Sequence, residues 1–194
     1  MIQKTMGPDD KLAAALALAI AHRPRANLQQ IAQSAGISKA TLYRIAPTRE
    51  AVVAQLIERS RVHLESALTL ADLSKPPFIE ALGRLTDNVM RGRAFFLFWN
   101  TAQWIQMLDD QDGVDSELPS FYREALEDFF LRGQRAGVFR VDLPARWLVK
   151  SYDFLLYAAA ESAERGEIAT VGMSALVNHS FLHGSAVAQD QGKL

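Results

Sequence analysis

Apolar residues recur along most of the chain at intervals of three and four positions, the spacing that places them on one face of an α-helix. The alternation of apolar and polar residues that is typical of a half-buried strand is almost absent. We predict helices over residues 10–21, 28–34, 39–45, 49–71, 78–91, 92–108, 117–136, 144–165 and 168–183. The predicted fold class is therefore all-α, with about nine helices: an N-terminal three-helix domain followed by a larger helical domain.

The composition excludes several classes of protein. With 194 residues, 49% of them hydrophobic, the chain can bury a sizeable core. It contains no cysteine, which excludes disulfides, thiolate metal sites and cysteine nucleophiles. The longest strongly apolar run, residues 12–21, is about half of the roughly 20 residues that span a bilayer. Asp9 and Asp10 precede it, where an export signal should be positive, so we expect no membrane segment, no export and a cytoplasmic location.

The charges are divided unevenly along the chain. Residues 1–50 hold seven basic and three acidic side chains, a net charge of +4, whereas residues 51–194 carry −5. A basic end on an acidic body suggests a domain that binds a polyanion, joined to one that does not. We therefore predict two domains, residues 1–50 and residues 51–194.

Residues 27–50 carry the most specific pattern in the sequence. Ile31 and Ala32 form an apolar face on the second predicted helix, and Ile37 and Leu42 supply a matching face from the turn and the third helix. Gly36 lies between them and permits a tight reversal. Two short helices that share a small core in this way form a helix-turn-helix.

The side of the third helix that faces away from this core has the chemistry of a DNA-binding surface. Its residues are short and polar, cationic or aromatic, a mixture suited to base edges and phosphates in a major groove. Lys39 can donate to guanine, Ala40 can contact a thymine methyl group, and Arg49 can bind phosphate from the start of the fourth helix. The candidate residues for double-stranded DNA are Asn27, Gln29, Ser38, Lys39, Ala40, Thr41, Tyr43, Arg44, Thr48 and Arg49.

This segment resembles the DNA-binding domain of the tetracycline-repressor (TetR) family of bacterial transcriptional regulators. The resemblance rests on Ile31-Ala32, Ala35-Gly36-Ile37-Ser38, Thr41-Leu42-Tyr43 and Arg49-Glu50, and it covers residues 9–60. The chain departs from the family pattern at Ile45 and Ala46, where the family usually has two aromatic residues. The missing rings predict a thinner core beside the third helix.

By the same resemblance, the rest of the chain is the effector-binding and dimerisation domain. The helix predicted over residues 92–108 is apolar on nearly every face, and later helices add more aromatic rings. Plain core packing explains most of these rings, and some of them line a cavity for a hydrophobic or aromatic small molecule. The candidate ligand-binding residues are Phe95, Phe98, Trp99, Gln103, Trp104, Phe121, Phe129 and Phe154.

The last two predicted helices are the expected dimer surface. Small residues there allow another helix to approach closely, and a row of residues follows helical spacing. The predicted interface residues are Leu148, Tyr152, Leu155, Ala159 and Ala163. The family resemblance implies that two such helices from each subunit form a four-helix bundle.

No pattern in the sequence supports catalysis, a cofactor or a metal ion. His179 and His183 lie four positions apart, but no nearby acidic residue completes a metal site. We therefore expect a dimeric, ligand-responsive DNA-binding regulator, a repressor that a small molecule releases from a palindromic operator. Activation remains an alternative to repression. The competing hypotheses are an all-α ligand-binding or scaffold protein that has lost DNA binding, and an enzyme that uses the aromatic cavity.

Overall fold

The computed structural model describes residues 8–109 and 119–187, and the side chains of residues 9–102 and 119–187. The described residues form nine helices and no strand, which confirms the all-α prediction. The helices are α1 (Pro8–His22), α2 (Leu28–Ser34), α3 (Lys39–Ile45), α4 (Arg49–Ala71), α5 (Phe78–Arg91), α6 (Arg93–Asp109), α7 (Ser120–Arg135), α8 (Ala145–Glu164) and α9 (Met173–Ser185).

The predicted start of the last helix is wrong by five residues. The sequence pattern places it at residue 168, whereas α9 begins at Met173. Gly172 directly before it has φ of +84°, a left-handed conformation that cannot continue a right-handed helix. The apolar residues between Gly166 and Gly172 therefore belong to the loop before α9, where Val171 is 90% exposed.

The described residues divide into two compact units. The first contains the residues up to Leu64 and those of α6, and the second contains Glu65–Arg91 and the residues from Pro119 onward. This division differs from the predicted boundary near residue 50. It differs because α4 runs unbroken across that position and because α6, distant in sequence, packs against α1.

In the first unit, α1, α2, α3, the first part of α4 and α6 surround one apolar core. Ile31 of α2 and Leu42 of α3 are completely buried in it, beside Ile20 of α1 and Phe98 of α6. Gly92 precedes α6, and a Cβ atom at this position would overlap the ring of His63. The small residue thus allows α4 and the start of α6 to lie close together.

The second unit is built around a cluster of aromatic rings from α5, α7, α8, α9 and the turn after α7. Phe130 lies at its centre, with ring centroids 5.1 Å from Phe139, 5.5 Å from Phe181 and 6.3 Å from Tyr152. An isolated β-bridge joins Phe139 to Ala186 and fixes the turn after α7 against the end of α9. Edge and tilted contacts of this kind stabilise a core beyond the apolar area that they bury.

Across the described residues, every helix is too short or too polar to traverse a lipid bilayer.

Candidate nucleic-acid interface and effector region

The helix-turn-helix begins with a capped α2. The Oδ1 atom of Asn27 accepts a hydrogen bond from the Gln30 backbone N–H at 3.0 Å, and Gln30 Oε1 accepts one from the Asn27 N–H at 3.0 Å. This reciprocal pair satisfies two free backbone donors at the helix start. Asn27 is therefore occupied as a cap, while Gln29 is exposed on the same helix.

The turn sets the position of α3 against α2. Gly36 has φ of +71°, which a glycine adopts without strain, and the Ile37 N–H donates to the Ala32 carbonyl at 3.0 Å. Leu42 then enters the core with no exposed surface. Because Leu42 fixes the inner side of α3, the opposite side faces outward.

The start of α3 is held by a second cap. The Oγ atom of Ser38 accepts a hydrogen bond from the Thr41 N–H at 3.0 Å and lies 2.8 Å from the Thr41 hydroxyl oxygen. These two predicted DNA contacts are thus bonded to each other in the free protein. Their first contribution is to fix the N-terminal turn of the helix.

The outer side of α3 presents Lys39, Ala40, Tyr43 and Arg44, which we call the recognition face. All four are exposed, and Tyr43 keeps 44% of its surface accessible. The Lys39 Nζ atom lies 5.4 Å from the centroid of the Tyr43 ring, a cation–π contact that orients the ammonium group. Within the described residues neither Lys39 nor Arg44 forms an ion pair, so both charges remain available to a polyanion.

Arg49 lies at the start of α4 and is half-buried. Its Nε atom donates to the Ala26 carbonyl at 3.2 Å and its Nη2 atom donates to the Pro24 carbonyl at 2.5 Å. The guanidinium group thus secures the connection between α1 and α2, and its contact with phosphate stays a prediction. Thr48 caps α4 by accepting from the Ala51 N–H at 3.1 Å, and it remains exposed.

The structure contains a hollow beside the end of α3. It has a volume of about 150 Å³. The hollow is lined by Asp9, Leu12, Ala13, Leu16, Ile45, Val52, Gln55, Leu56 and Arg59. Ala46 is fully buried nearby in the chain, and Gln55 donates to the Ile45 carbonyl at 3.2 Å, which ties the end of α3 to α4.

The ligand-binding candidates on α6 differ in their surroundings. Phe95 and Phe98 are buried in the core of the first unit, with 8% and 0% of their surface exposed. Trp99 is half-buried, and its Nε1 atom has no hydrogen-bond partner among the described residues. The side chains of Gln103 and Trp104 lie outside the described residues.

In the second unit, Phe129 belongs to the aromatic cluster and Phe121 is half-buried. Phe154 does not line the interior of the chain: it is 61% exposed on α8. This prediction is corrected because Phe154 lies on the side of the helix opposite to Tyr152 and Leu156, which are fully buried.

The orientation of α8 about its own axis also contradicts the prediction for three of the dimer-interface residues. Leu148, Tyr152 and Ala159 are buried within their own chain, so they are inaccessible to a second subunit. Leu155 and Ala163 are half-buried. The exposed side of α8 instead presents a row of three residues at helical spacing, namely Trp147, Phe154 and Ala158.

A group of buried polar side chains lies where α5, α7, α8 and α9 pack together. The Thr86 hydroxyl oxygen is 2.9 Å from the Tyr152 hydroxyl and 2.6 Å from Asn178 Oδ1. Tyr122 Oη and Asp153 Oδ1 are also buried, but neither has a hydrogen-bond partner among the described residues. Burial raises the pKa of Asp153 to about 7, and burial together with Tyr152 and Asp153 raises the pKa of Tyr122.

Comparisons with known proteins place this geometry in a family. No protein-family model matches the chain. The HTH-type transcriptional regulator NfxB from Pseudomonas aeruginosa is 36% identical over 178 residues, which cover 92% of this chain and 94% of NfxB. The chain belongs to the HTH-type transcriptional regulators.

Solved structures show that the regulator has the TetR-like fold. The TetR-like regulator LfrR from Mycobacterium smegmatis matches with a TM-score of 0.67 at 21% identity, over 92% of this chain and 95% of LfrR. The complex of LfrR with proflavine matches with a TM-score of 0.64 at 23% identity, over 93% of this chain and 96% of that chain. The resemblance to the TetR family is thereby confirmed. The relatives of this chain are transcriptional regulators and not enzymes.

Sequence reasoning did not single out the polar atoms of Tyr122 and Asp153. The available signal was an acidic residue among apolar ones: Asp153 interrupts a stretch of α8 in which Val149, Tyr152 and Leu156 are buried. An acid at such a position is rarely buried without a partner. Among the described residues no group of three histidine, aspartate or glutamate side chains is arranged to hold a metal ion.

Proposed function

We propose that the regulator is a dimeric repressor that binds a palindromic operator through α3 and releases it when a small molecule binds. The observation that carries the proposal is the recognition face: two cationic side chains that form no ion pair with the described residues, one ring and one small residue lie outward on a helix that is capped at its start and buried on its inner side. Such a helix can enter a major groove without rearrangement.

The residues of this face have distinct roles in the proposal. Lys39, at the N-terminal end of α3, points toward base edges and donates to guanine O6 or N7, and Ala40 leaves room for a thymine methyl group. Arg44 and the Tyr43 hydroxyl bind phosphates on either side of the groove. Gln29 and Thr48 contact the backbone at the margins.

The operator contacts are tested by substituting the two cations separately. Lys39→Ala should weaken binding to the preferred sequence by roughly 5- to 150-fold and relax the base preference at one position, because a base contact is lost. Arg44→Ala should weaken binding to all DNA similarly and lower the salt slope by about one. The measurement is fluorescence anisotropy on a labelled operator selected from random DNA, at several salt concentrations.

Arg135→Ala is the matched control, because it removes one positive charge from an exposed position on α7. It should leave both affinity and salt slope unchanged. Equal losses in all three variants would show that the whole charge of the protein, and not α3, attracts DNA. Undetectable binding by the unmodified protein would favour a helical ligand-binding protein that has lost this activity.

A second subunit is assigned to the exposed side of α8. Trp147 and Phe154 are 59% and 61% exposed, and Leu176 on the neighbouring α9 is 48% exposed. Exposed aromatic and aliphatic side chains on adjacent helices are typical of a surface that pairs with another chain. A dimer places two recognition helices about 34–36 Å apart, so that they read two half-sites of a palindrome.

The effector in this proposal is a hydrophobic or aromatic small molecule, as in the complex of LfrR with proflavine. Among the described ligand-binding candidates, Trp99 and Phe121 are half-buried. A coupling free energy of about 1–3 kcal/mol between effector and operator changes operator affinity by about 5- to 150-fold. The regulator works where chromosomal DNA is, in the bacterial cytoplasm.

A further inference from the structure

Two histidines of α9 lie side by side on the surface of the second unit. His179 and His183 are one helical turn apart, both are exposed, and their ring centroids are 4.0 Å apart. Side chains at this spacing project from the same side of a helix. The fold therefore brings two imidazole rings together at one place on the surface.

A hydrogen bond decides how one of these rings can act. The Nδ1 atom of His183 lies 2.9 Å from the carbonyl oxygen of His179. A carbonyl oxygen can only accept, so Nδ1 carries the proton and donates it. In the neutral ring, Nε2 then keeps a free electron pair. A histidine that binds a metal ion through one nitrogen commonly donates from the other to a backbone carbonyl in this way.

The place of the pair on α9 also favours a positive ion. His183 lies in the last turn of the helix, where the backbone carbonyls carry the partial negative charge of the helix dipole. The guanidinium group of Arg140 reaches the same turn and donates to the Gly184 carbonyl at 3.2 Å. Asp142 pairs with Arg140 at 2.6 Å and offsets this charge.

One chain supplies half of the ligands that a zinc site needs. Zinc prefers four ligands in a tetrahedron, and among the described residues no third histidine or acidic side chain completes the pair. A second copy can complete it. Leu176 lies one turn before His179 on the same side of α9, and it belongs to the surface assigned above to the second subunit. A two-fold dimer presents every group twice, so two pairs make four ligands.

We infer that His179 and His183 bind a zinc ion together with the same two residues of a second copy, and that this ion strengthens the dimer. The inference rests on the proposed function, since it needs the dimer formed through α8 and α9. Imidazole nitrogen suits zinc, whereas magnesium and calcium prefer oxygen ligands. Because zinc bound in this way holds two chains together, its concentration sets the population of the dimer that binds the operator.

The first test is isothermal titration calorimetry of the full chain with zinc chloride, with magnesium chloride as the comparison. Zinc should bind at one ion per two chains, and magnesium should not bind. His179→Gln and His183→Gln should each weaken zinc binding by at least about tenfold, because each removes two of the four ligands from the dimer. Both side chains are exposed, so the circular-dichroism spectra of the variants should be unchanged.

His22→Gln is the matched control, because His22 is an exposed histidine of α1 in the first unit. It should bind zinc as the unmodified chain does. Co²⁺ in place of zinc reports the geometry of the site, since tetrahedral Co²⁺ absorbs visible light much more strongly than octahedral Co²⁺. The unmodified chain and His22→Gln should give the tetrahedral spectrum, and His183→Gln should not.

The second test is sedimentation equilibrium with zinc and with a chelator. Zinc should tighten the dimer of the unmodified chain by at least about tenfold and leave that of His183→Gln unchanged. One zinc ion per chain with no effect on the dimer, or zinc binding that both variants retain, would overturn the inference. If the dimer does not dissociate at measurable concentrations, the stoichiometry and the Co²⁺ spectrum decide the question.

Operator binding is measured separately, in the presence of the chelator and at a high concentration of the chain. Zinc-dependent dimerisation of a chain that does not bind DNA would support this site and contradict the proposed function. Operator binding by a dimer that takes up no zinc would support the proposed function and overturn the inference.

Discussion

Single residues show which side-chain roles follow from sequence and which do not. Ser38 was predictable as a helix cap because its partner, Thr41, lies three residues away. Arg49 was not, because the carbonyls that it binds, those of Pro24 and Ala26, lie more than 20 residues earlier in the chain. Local spacing predicts the exposed side of α3 well, whereas the partner of a long cationic side chain is decided by the tertiary fold.

The raised pKa of the Asp153 carboxyl, whose Oδ1 atom is buried, should make stability depend on pH. Its pKa is about 7 in the folded chain and near its ordinary value of 3.8 when unfolded, so the folded state holds its proton between these values. Unfolding then releases a proton, and the free energy of unfolding falls as pH rises through this window. The difference between the two pKa values changes the free energy of unfolding by about 4 kcal/mol at most.

The measurement is chemical denaturation of the unmodified chain and of Asp153→Asn at several pH values. The variant should become the more stable of the two above about pH 7, and the advantage should shrink as pH falls toward about 4. A stability difference that stays constant over this range would show that Asp153 does not change its protonation on folding.

At the scale of helices, the residues at which the helices begin were largely predictable, but the orientation of each helix about its own axis was not. Eight of the nine helices begin close to their predicted residues, because prolines, glycines and caps act locally. α8 is apolar on two sides, with Tyr152 and Leu156 on one and Trp147 and Phe154 on the other. Periodicity alone cannot tell which side faces the chain's own core, so the predicted interface was placed on the buried side.

Substitution of the exposed side of α8 tests the assignment of the dimer surface. Phe154→Asp places a charge at a position that is 61% exposed, so a single chain should tolerate it while a paired surface should not. We expect the protein to sediment as a monomer with an unchanged circular-dichroism spectrum. Operator affinity should fall steeply, because one recognition helix then acts alone.

Leu70→Asp is the corresponding control, since Leu70 is 62% exposed on α4. This variant should keep the sedimentation behaviour of the unmodified protein. A Phe154→Asp protein that still sediments as a dimer would remove α8 from the interface.

For the whole molecule, the uneven distribution of charge was the most informative global signal. The basic residues 1–50 contain the helix-turn-helix, and the acidic remainder contains the buried polar groups of the second unit. The limits of the compact units were beyond sequence reasoning, because α6 joins the first unit through packing against elements that are distant in sequence, such as α1. Polar atoms that have no hydrogen-bond partner among the described residues, such as Asp153 Oδ1, can likewise be identified only once the neighbouring helices are placed.

The central claim is that α3 reads DNA in a symmetric dimer, and selection of bound fragments from random double-stranded DNA tests it most directly. The full chain should enrich a palindrome whose half-sites are centred about 10 base pairs apart, or a multiple of that distance. Lys39→Ala should enrich a palindrome of the same spacing with an altered base at one position of each half-site. Recovery of fragments with no shared sequence, or of the same sequence by both proteins, would contradict the account.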